Sequence, residues 1–331
     1  MSTGRHGARV SAASVLLALA FASSIPLATA AGPPPSQIVK ATICIAARTD
    51  TTLPIFAAQD GGYLEEEHIQ ATLPYFAGGR VDAAFVAGQC DLALNAGGEG
   101  PLLTGADVVA VAATTVRPPF EIWARPEIPS IAGLKGHKLG TSGPGSLSWR
   151  LGRYYLRLNH LVPNTDVILV PISSAATTVG ALVSGRVDAA VLSPPLTAEV
   201  ENQGMRLLYA PPDDVRFIVQ AIITSRRYLS SHPAVVRGVV AAAVKAMKRL
   251  QEDRAFYAAE LARFTNLHVA GEKLQQYWTT ARREYNIPPL ATHADAVTAL
   301  SLYSDAARNV DLNSLATRWL DMSIVNELYP H

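Results

Sequence analysis

An eleven-residue pattern occurs twice in this chain. Residues 84–94, Ala-Phe-Val-Ala-Gly-Gln-Cys-Asp-Leu-Ala-Leu, return as residues 181–191, Ala-Leu-Val-Ser-Gly-Arg-Val-Asp-Ala-Ala-Val. Ala, Val, Gly, Asp and Ala match in place, and most other positions exchange one apolar residue for another. Each copy reads as a helix end, a glycine stop, an Asp turn and a buried strand. Glycine tolerates the left-handed conformation that ends a helix. Asp bonds the backbone of a turn, and the apolar run after it suits a parallel strand covered on both faces. Two such units imply two α/β lobes built alike, facing each other across a cleft, and clefts between domains are favoured ligand sites. The alternative is two unrelated helix-to-strand turns in one large domain.

The N-terminus adds a compartment. Arg5, His6 and Arg9 are followed by a small apolar core around Leu16, Leu17, Leu19 and Phe21, then by Ala28-Thr29-Ala30. This is the layout of a secretory signal peptide over residues 1–30, with an apolar core too short for a comfortable membrane span. No Cys lies near the cleavage point, so a lipid anchor is not expected. Export to the periplasm is. Arg5 and Arg9 belong to the leader, so the remaining chain carries 26 basic against 27 acidic residues. That balance argues against a nucleic-acid partner, which needs a basic face. The two cysteines, Cys44 and Cys90, form no CxxC motif. Export makes a disulfide chemically possible, but two buried free thiols are the favoured reading.

Strand and helix signals alternate, which implies a mostly parallel sheet. Strands are expected at residues 38–47, 69–76 and 108–114, with a helix over 53–59. The chain is expected to cross to a second lobe near Pro118-Pro119. Residues 121–124 start that lobe, with strands expected at 138–140 and 166–170 and helices at 147–159 and 175–183. Residues 217–224 read as the strand that returns to the first lobe. Beyond Arg226, Pro233 suits a first helical turn. Val236, Val240, Val244, Met247 and Leu250 then recur at helical spacing. The resulting division is a signal peptide at 1–30, a first lobe at 31–117, a second lobe at 118–215, and a return with a C-terminal helical cap at 216–331.

Catalytic motifs are missing. The eight histidines are scattered and no pair has HxxxH spacing. Glu66-Glu67-His68 lacks the second His of a zinc-protease helix. There is no nucleophile elbow, no Walker loop and no dinucleotide fingerprint after the first strand. No metal, cofactor or catalytic residue is assigned. What remains are polar, glycine-rich loops at the carboxyl ends of strands, where open α/β sheets bind ligands. The candidate ligand-binding residues are Arg48, Thr49, Asp50 and Thr52; Asn95, Gly98 and Glu99; Thr115; Thr141, Ser142, Gly145 and Ser146; Ser173; and Ser193. Several of these loops precede helices, whose free N–H groups and partial positive charge suit an anion. Arg48, Arg80 and Arg117 lie near loop mouths and suit a carboxylate or sulfonate, although each also reads as a surface cation. Glu99, flanked by glycines, reads equally as a partner for an amine or ring N–H and as a solvated loop charge. Phe76, Phe120 and Trp149 could stack on a flat ligand or pack in the core.

These residues also resemble a known family. Residues 54–64, Pro-Ile-Phe-Ala-Ala-Gln-Asp-Gly-Gly-Tyr-Leu, carry the resemblance, together with Gly88-Gln89-Cys90-Asp91, Gly98-Glu99-Gly100-Pro101 and Gly145-Ser146. Residues 134–140, 183–189 and 228–233 extend it. Their order and spacing are similar to those of periplasmic substrate-binding proteins of the nitrate/sulfonate/taurine ABC importer group, which share a superfamily with thiamine-pyrimidine synthases. The resemblance spans roughly residues 38–265. It implies an α/β fold of two Rossmann-like lobes with a cleft and hinge (the type II periplasmic binding protein), plus C-terminal helices. It also implies capture of a small ligand by lobe closure, and delivery by a monomer to an inner-membrane permease with a separate ATPase. The Ser and Gly donors favour a small organic anion, and Glu99 leaves a cationic or pyrimidine ligand open. An enzyme on the same fold and a periplasmic ligand sensor are the competing readings.

Overall fold

The structure is a computed structural model that describes residues 37–77, 79–266, 268–303 and 309–330. The leader expected at residues 1–30 lies outside the described residues. Among the described residues, ten strands fall into two five-stranded sheets. The first sheet contains β1 (Val39–Ile45), β2 (Ile69–Thr72), β3 (Leu92–Asn95), β4 (Val109–Thr115) and β10 (Gln220–Thr224), in the order β2-β1-β3-β10-β4. The second contains β5 (Glu121–Ala124), β6 (Lys138–Thr141), β7 (Ile168–Pro171), β8 (Ala189–Leu192) and β9 (Arg206–Tyr209), in the order β7-β6-β8-β5-β9. Around them lie α1 (Leu53–Asp60), α2 (Tyr63–Glu66), α3 (Arg80–Val86), α4 (Glu99–Leu103), α5 (Leu147–Leu158), α6 (Ala175–Val183) and α7 (Leu196–Asn202). The chain ends in helices: α8 (Arg226–Ser231), α9 (Pro233–Glu252), α10 (Arg254–Thr265), α11 (Gly271–Glu284), α12 (His293–Ser301), α13 (Leu312–Trp319) and α14 (Ser323–Leu328). Among the described residues no helix is long and apolar enough to cross a membrane.

The repeated pattern is the same structural unit twice. α3 leads through Gly88 to β3, and α6 leads through Gly185 to β8, with φ +73° at both glycines. A side chain is strained at such an angle. Asp91 and Asp188 then each bond the strand next door, through carboxylate and main chain alike.

Alternating side chains bury both faces of the first sheet. Ile43, Ile45, Leu92, Leu94 and Ile222 pack on α1 and α9, while Cys44, Ala93, Ala221 and Ile223 face the Phe85, Leu300 and Trp319 side. In the second sheet, Leu139, Ala189 and Val191 pack against Leu151 and Tyr155 of α5. Ala190 and Leu192 turn to Val179 and Leu182 of α6. Burial of this kind contributes roughly 25 cal/mol per Å² of apolar area removed from water.

Three expectations need correction. The free thiols are a disulfide: Cys44 and Cys90 are bonded, with Cα atoms 5.7 Å apart. β1 and β3 are parallel neighbours, and the turn before β3 brings Cys90 to the face that Cys44 presents. The expected strand at 69–76 ends at Thr72. Pro74 has no N–H to continue the ladder; its carbonyl accepts from Ile45 N–H, and Phe76 N–H returns a bond to Ile45 O. Finally, the sheets are mixed rather than mostly parallel. β10 runs antiparallel to β3 and β4, and β5 runs antiparallel to β8 and β9. Both strands follow a passage from the other sheet, so neither is joined to its neighbours by the crossover connection that parallel strands need.

Candidate ligand-binding cleft

The carboxyl ends of β1, β3, β6, β7 and β8 converge on one cavity of about 330 Å³. That size suits a small molecule. Its floor on the first-sheet side is the loop after β1. Thr52 Oγ1 donates to Ala47 O and Thr49 O, which ties this loop into a short 3-10 turn. Asp50 is turned away from the cavity and fully buried, and accepts from Tyr257 OH at 2.8 Å and Tyr285 OH at 3.0 Å. Burial pushes its carboxyl up to about 7 against the pull of the two phenols. On the second-sheet side two helices begin at the cavity. Ser146 caps α5 by accepting from Trp149 N–H, and Ser174 caps α6 by accepting from Thr177 N–H. Helix starts of this kind favour negative charge.

Between these walls lies a buried polar cluster. Arg150, one turn into α5, lines the cavity although its side chain is only 4% exposed. Its guanidinium stacks on the Tyr303 ring, 4.1 Å from the centroid. Nη1 stands 3.5 Å from Glu99 Oε1, an ion-pair distance without an aligned hydrogen bond. Among the described residues Nε and Nη1 find no hydrogen-bond partner, and neither does either oxygen of Glu99. Asp82 is better served, since Asn95 Nδ2 donates to its Oδ1 at 2.6 Å. Burial pushes the Glu99 carboxyl up to about 7, with Arg150 pulling it back only in part. Burial likewise raises Asp82, against Arg150 and the Asn95 bond. Arg150 itself keeps its proton: burial opposes the charge, but Tyr303, Glu99 and Asp82 outweigh it.

The candidates read from sequence divide in two. Arg48, Thr49, Asn95, Ser142, Gly145, Ser146 and Ser193 line the cavity. Asp50, Thr52, Gly98, Glu99, Thr115, Thr141 and Ser173 are not on its wall. Gly98 supplies the left-handed cap of α4 (φ +74°), Thr115 and Thr141 are buried in strands, and Ser173 is exposed beside the lining residue Ser174. Phe120 lines the cavity, whereas Phe76 and Trp149 pack on the core. The sequence reading missed Asp82, Arg150, Gln220 and Tyr303. Arg150 left one trace: it interrupts the apolar stripe Leu147, Leu151, Tyr155 of α5, where a charge is out of place. Nothing local marks Tyr303, which arrives from the C-terminal helices.

Two α/β sheets whose strand ends share one cleft, with C-terminal helices added, define the periplasmic binding protein fold. Residues 50–254 match the family model described as NMT1/THI5 like, and the chain belongs to that family. Solved structures agree on the fold. A protein from Bordetella bronchiseptica RB50 is 20% identical, with a TM-score of 0.73 over 88% of this chain and 98% of that one. The alkanesulfonate-binding protein SsuA from Xanthomonas axonopodis pv. citri, bound to MOPS, is 21% identical, with a TM-score of 0.70 over 87% and 100%. The periplasmic nitrate-binding protein NrtA from Synechocystis PCC 6803 is 10% identical, with a TM-score of 0.66 over 89% and 90%. No curated protein matches the sequence.

Proposed function

We propose that this protein is a periplasmic solute-binding protein of an ABC importer, which captures a small organic anion of sulfonate or carboxylate type by closing two lobes around it. The lobes are residues 31–117 with the return at 216–331, and residues 118–215. The observation that carries this reading is Arg150. A guanidinium on a cavity wall with buried, unpartnered N–H groups costs free energy until an acceptor arrives, and its planar fork suits carboxylate and sulfonate oxygens. The starts of α5 and α6 add N–H groups and partial positive charge on the same side. Family membership and the sulfonate- and nitrate-binding relatives point the same way.

Binding without turnover fits the lining. Among the described residues it contains no histidine, Ser146 Oγ is committed to Gly143 O, and both cysteines are held in the disulfide. On this reading the protein works as a monomer, leaves the cytoplasm by its signal peptide, and hands its ligand to a membrane permease served by a separate ATPase.

The test is a thermal-shift series with methanesulfonate, benzenesulfonate, benzoate, nitrate and organic amines. A ligand confined to the folded state adds about 2.7 kcal/mol of stability at a hundredfold excess over its Kd. A dose-dependent rise with a sulfonate or carboxylate, and the compound recovered unchanged, is expected. A rise with amines alone, or conversion of the compound, would overturn the reading.

A further inference from the structure

Arg150 faces more acid than one charge can satisfy. Glu99 comes from α4, Asp82 from α3 and the phenol of Tyr303 from just beyond α12. These are the charged and titratable groups around the guanidinium. The same set surrounds Glu99: Arg150 and Asp82 act on its charge, while the nearby Trp319 from α13, close to Gly97 and the Glu99 carboxyl carbon, carries none. Glu99 is 1% exposed. Its support as an anion comes from the unaligned Arg150 guanidinium at 3.5 Å and from its own main-chain N–H nearby.

An anion entering the cavity competes for that support. Two carboxylates and a ligand anion around one guanidinium leave a surplus of negative charge where the effective dielectric is low. Such clusters relieve the surplus by taking up a proton. Asp82 is the less favoured taker, because Asn95 Nδ2 already stabilises its charged form. Among the described residues, neither oxygen of Glu99 has a hydrogen-bonded side-chain donor of that kind.

We infer that Glu99 is the specificity-determining residue of this cleft: it surrenders Arg150 to the ligand, takes one proton from solvent as the anion enters, and so matches the site to a monoanion. The inference rests on the reading of the cavity as an anion site. The balance is simple. One proton adds to one Glu99 oxygen, no covalent bond is broken in the ligand, and the proton leaves when the anion does. A dianion requires a second proton on Asp82 and binds more weakly than a monoanion of the same size.

Calorimetry tests this. Methanesulfonate, benzenesulfonate and benzoate are titrated into the protein at pH 5.5 and pH 8, in two amine buffers of different ionisation enthalpy so that no buffer anion competes. At pH 8 uptake approaching one proton per anion is expected, with little at pH 5.5, where Glu99 is already neutral. Between pH 7 and pH 8.5 the affinity falls by up to about tenfold per pH unit. Glu99→Gln abolishes the uptake and flattens the affinity across this range, while Asp82→Asn still takes up a proton. Anion binding without proton uptake, or uptake that survives Glu99→Gln, overturns this inference and leaves the anion site standing. If Glu99→Gln does not fold, loss of uptake in Asp82→Asn moves the proton to Asp82 and overturns it instead. Failure of all three anions to bind at either pH overturns the anion site itself, and the inference with it.

Discussion

Asp91 and Asp188 lie in different sheets and make the same bonds. Asp91 Oδ2 accepts the N–H of Thr42 at 2.8 Å, and Asp188 Oδ2 accepts the N–H of Lys138 at 2.8 Å. Their own N–H groups return the contact, to Thr42 O at 2.9 Å and to Lys138 O at 3.0 Å. Each Asp thus locks the turn before its strand onto the neighbouring strand. Asp91→Ala and Asp188→Ala are each expected to cost about 1–2 kcal/mol, read from the urea midpoint at constant slope. Unequal effects beyond that range would show that the two units are not energetically alike.

The disulfide closes a long loop. Cys44 and Cys90 are 46 residues apart in sequence, and cross-linking a loop of that length restricts the unfolded chain by about 4 kcal/mol on the chain-entropy model. Cys44→Ala with Cys90→Ala should lower stability by about 2–4 kcal/mol, and reduction of the native protein should lower its melting temperature in the same direction. A double variant as stable as the parent would remove the bond from the account of stability.

Glu99 makes stability depend on pH. Its carboxyl is pushed up from 4.5 to about 7 in the folded chain. Between those values the folded state holds a proton that the unfolded state has lost, so stability falls as pH rises through this window. Glu99→Gln removes the effect. It should stabilise the protein by up to about 3 kcal/mol at pH 8 and by less than about 1 kcal/mol at pH 5. Thermal melts at the two pH values check this, and an equal effect at both would refute it.

Arg150→Gln should weaken anion binding by more than about tenfold, since charge-assisted bonds contribute about 1.5–3 kcal/mol. Because this change leaves Glu99 and Asp82 buried without a cation, the double variant Arg150→Gln with Glu99→Gln is the companion. It should recover stability and leave affinity low, measured by calorimetry at pH 6.

Tyr285 holds the cavity loop from behind. Its OH bonds both Asp50 Oδ1 and Asp50 O. Tyr285→Phe leaves a buried acid with one phenol fewer, at a cost of about 1–3 kcal/mol. Affinity should fall with stability, because Thr49 and Thr51 on the same loop line the cavity. Loss of stability with unchanged affinity would separate the loop from the site.

Much of the fold was legible because its signals are local. The turn at Gly88 and Gly185, the proline opening α9 and the Ser146 start of α5 each follow from a few adjacent residues, as does the wall of Arg48, Thr49, Asn95, Ser142 and Ser146. Asp50 and Glu99 were marked as polar residues in the right loops. Their orientation into the interior depends on Tyr257, Tyr285 and Arg150, which no window around them contains.

The sequence by itself determined two repeated α/β units, the helical C-terminus and polar strand-end loops, because hydrophobic periodicity and turn chemistry act over a few residues. Only the tertiary structure decided the Cys44–Cys90 bond, the antiparallel β5 and β10, and the meeting of Arg150, Glu99, Asp82 and Tyr303. These depend on which distant segments become neighbours, and on burial, which sets the charge of a carboxyl only once the chain has closed around it.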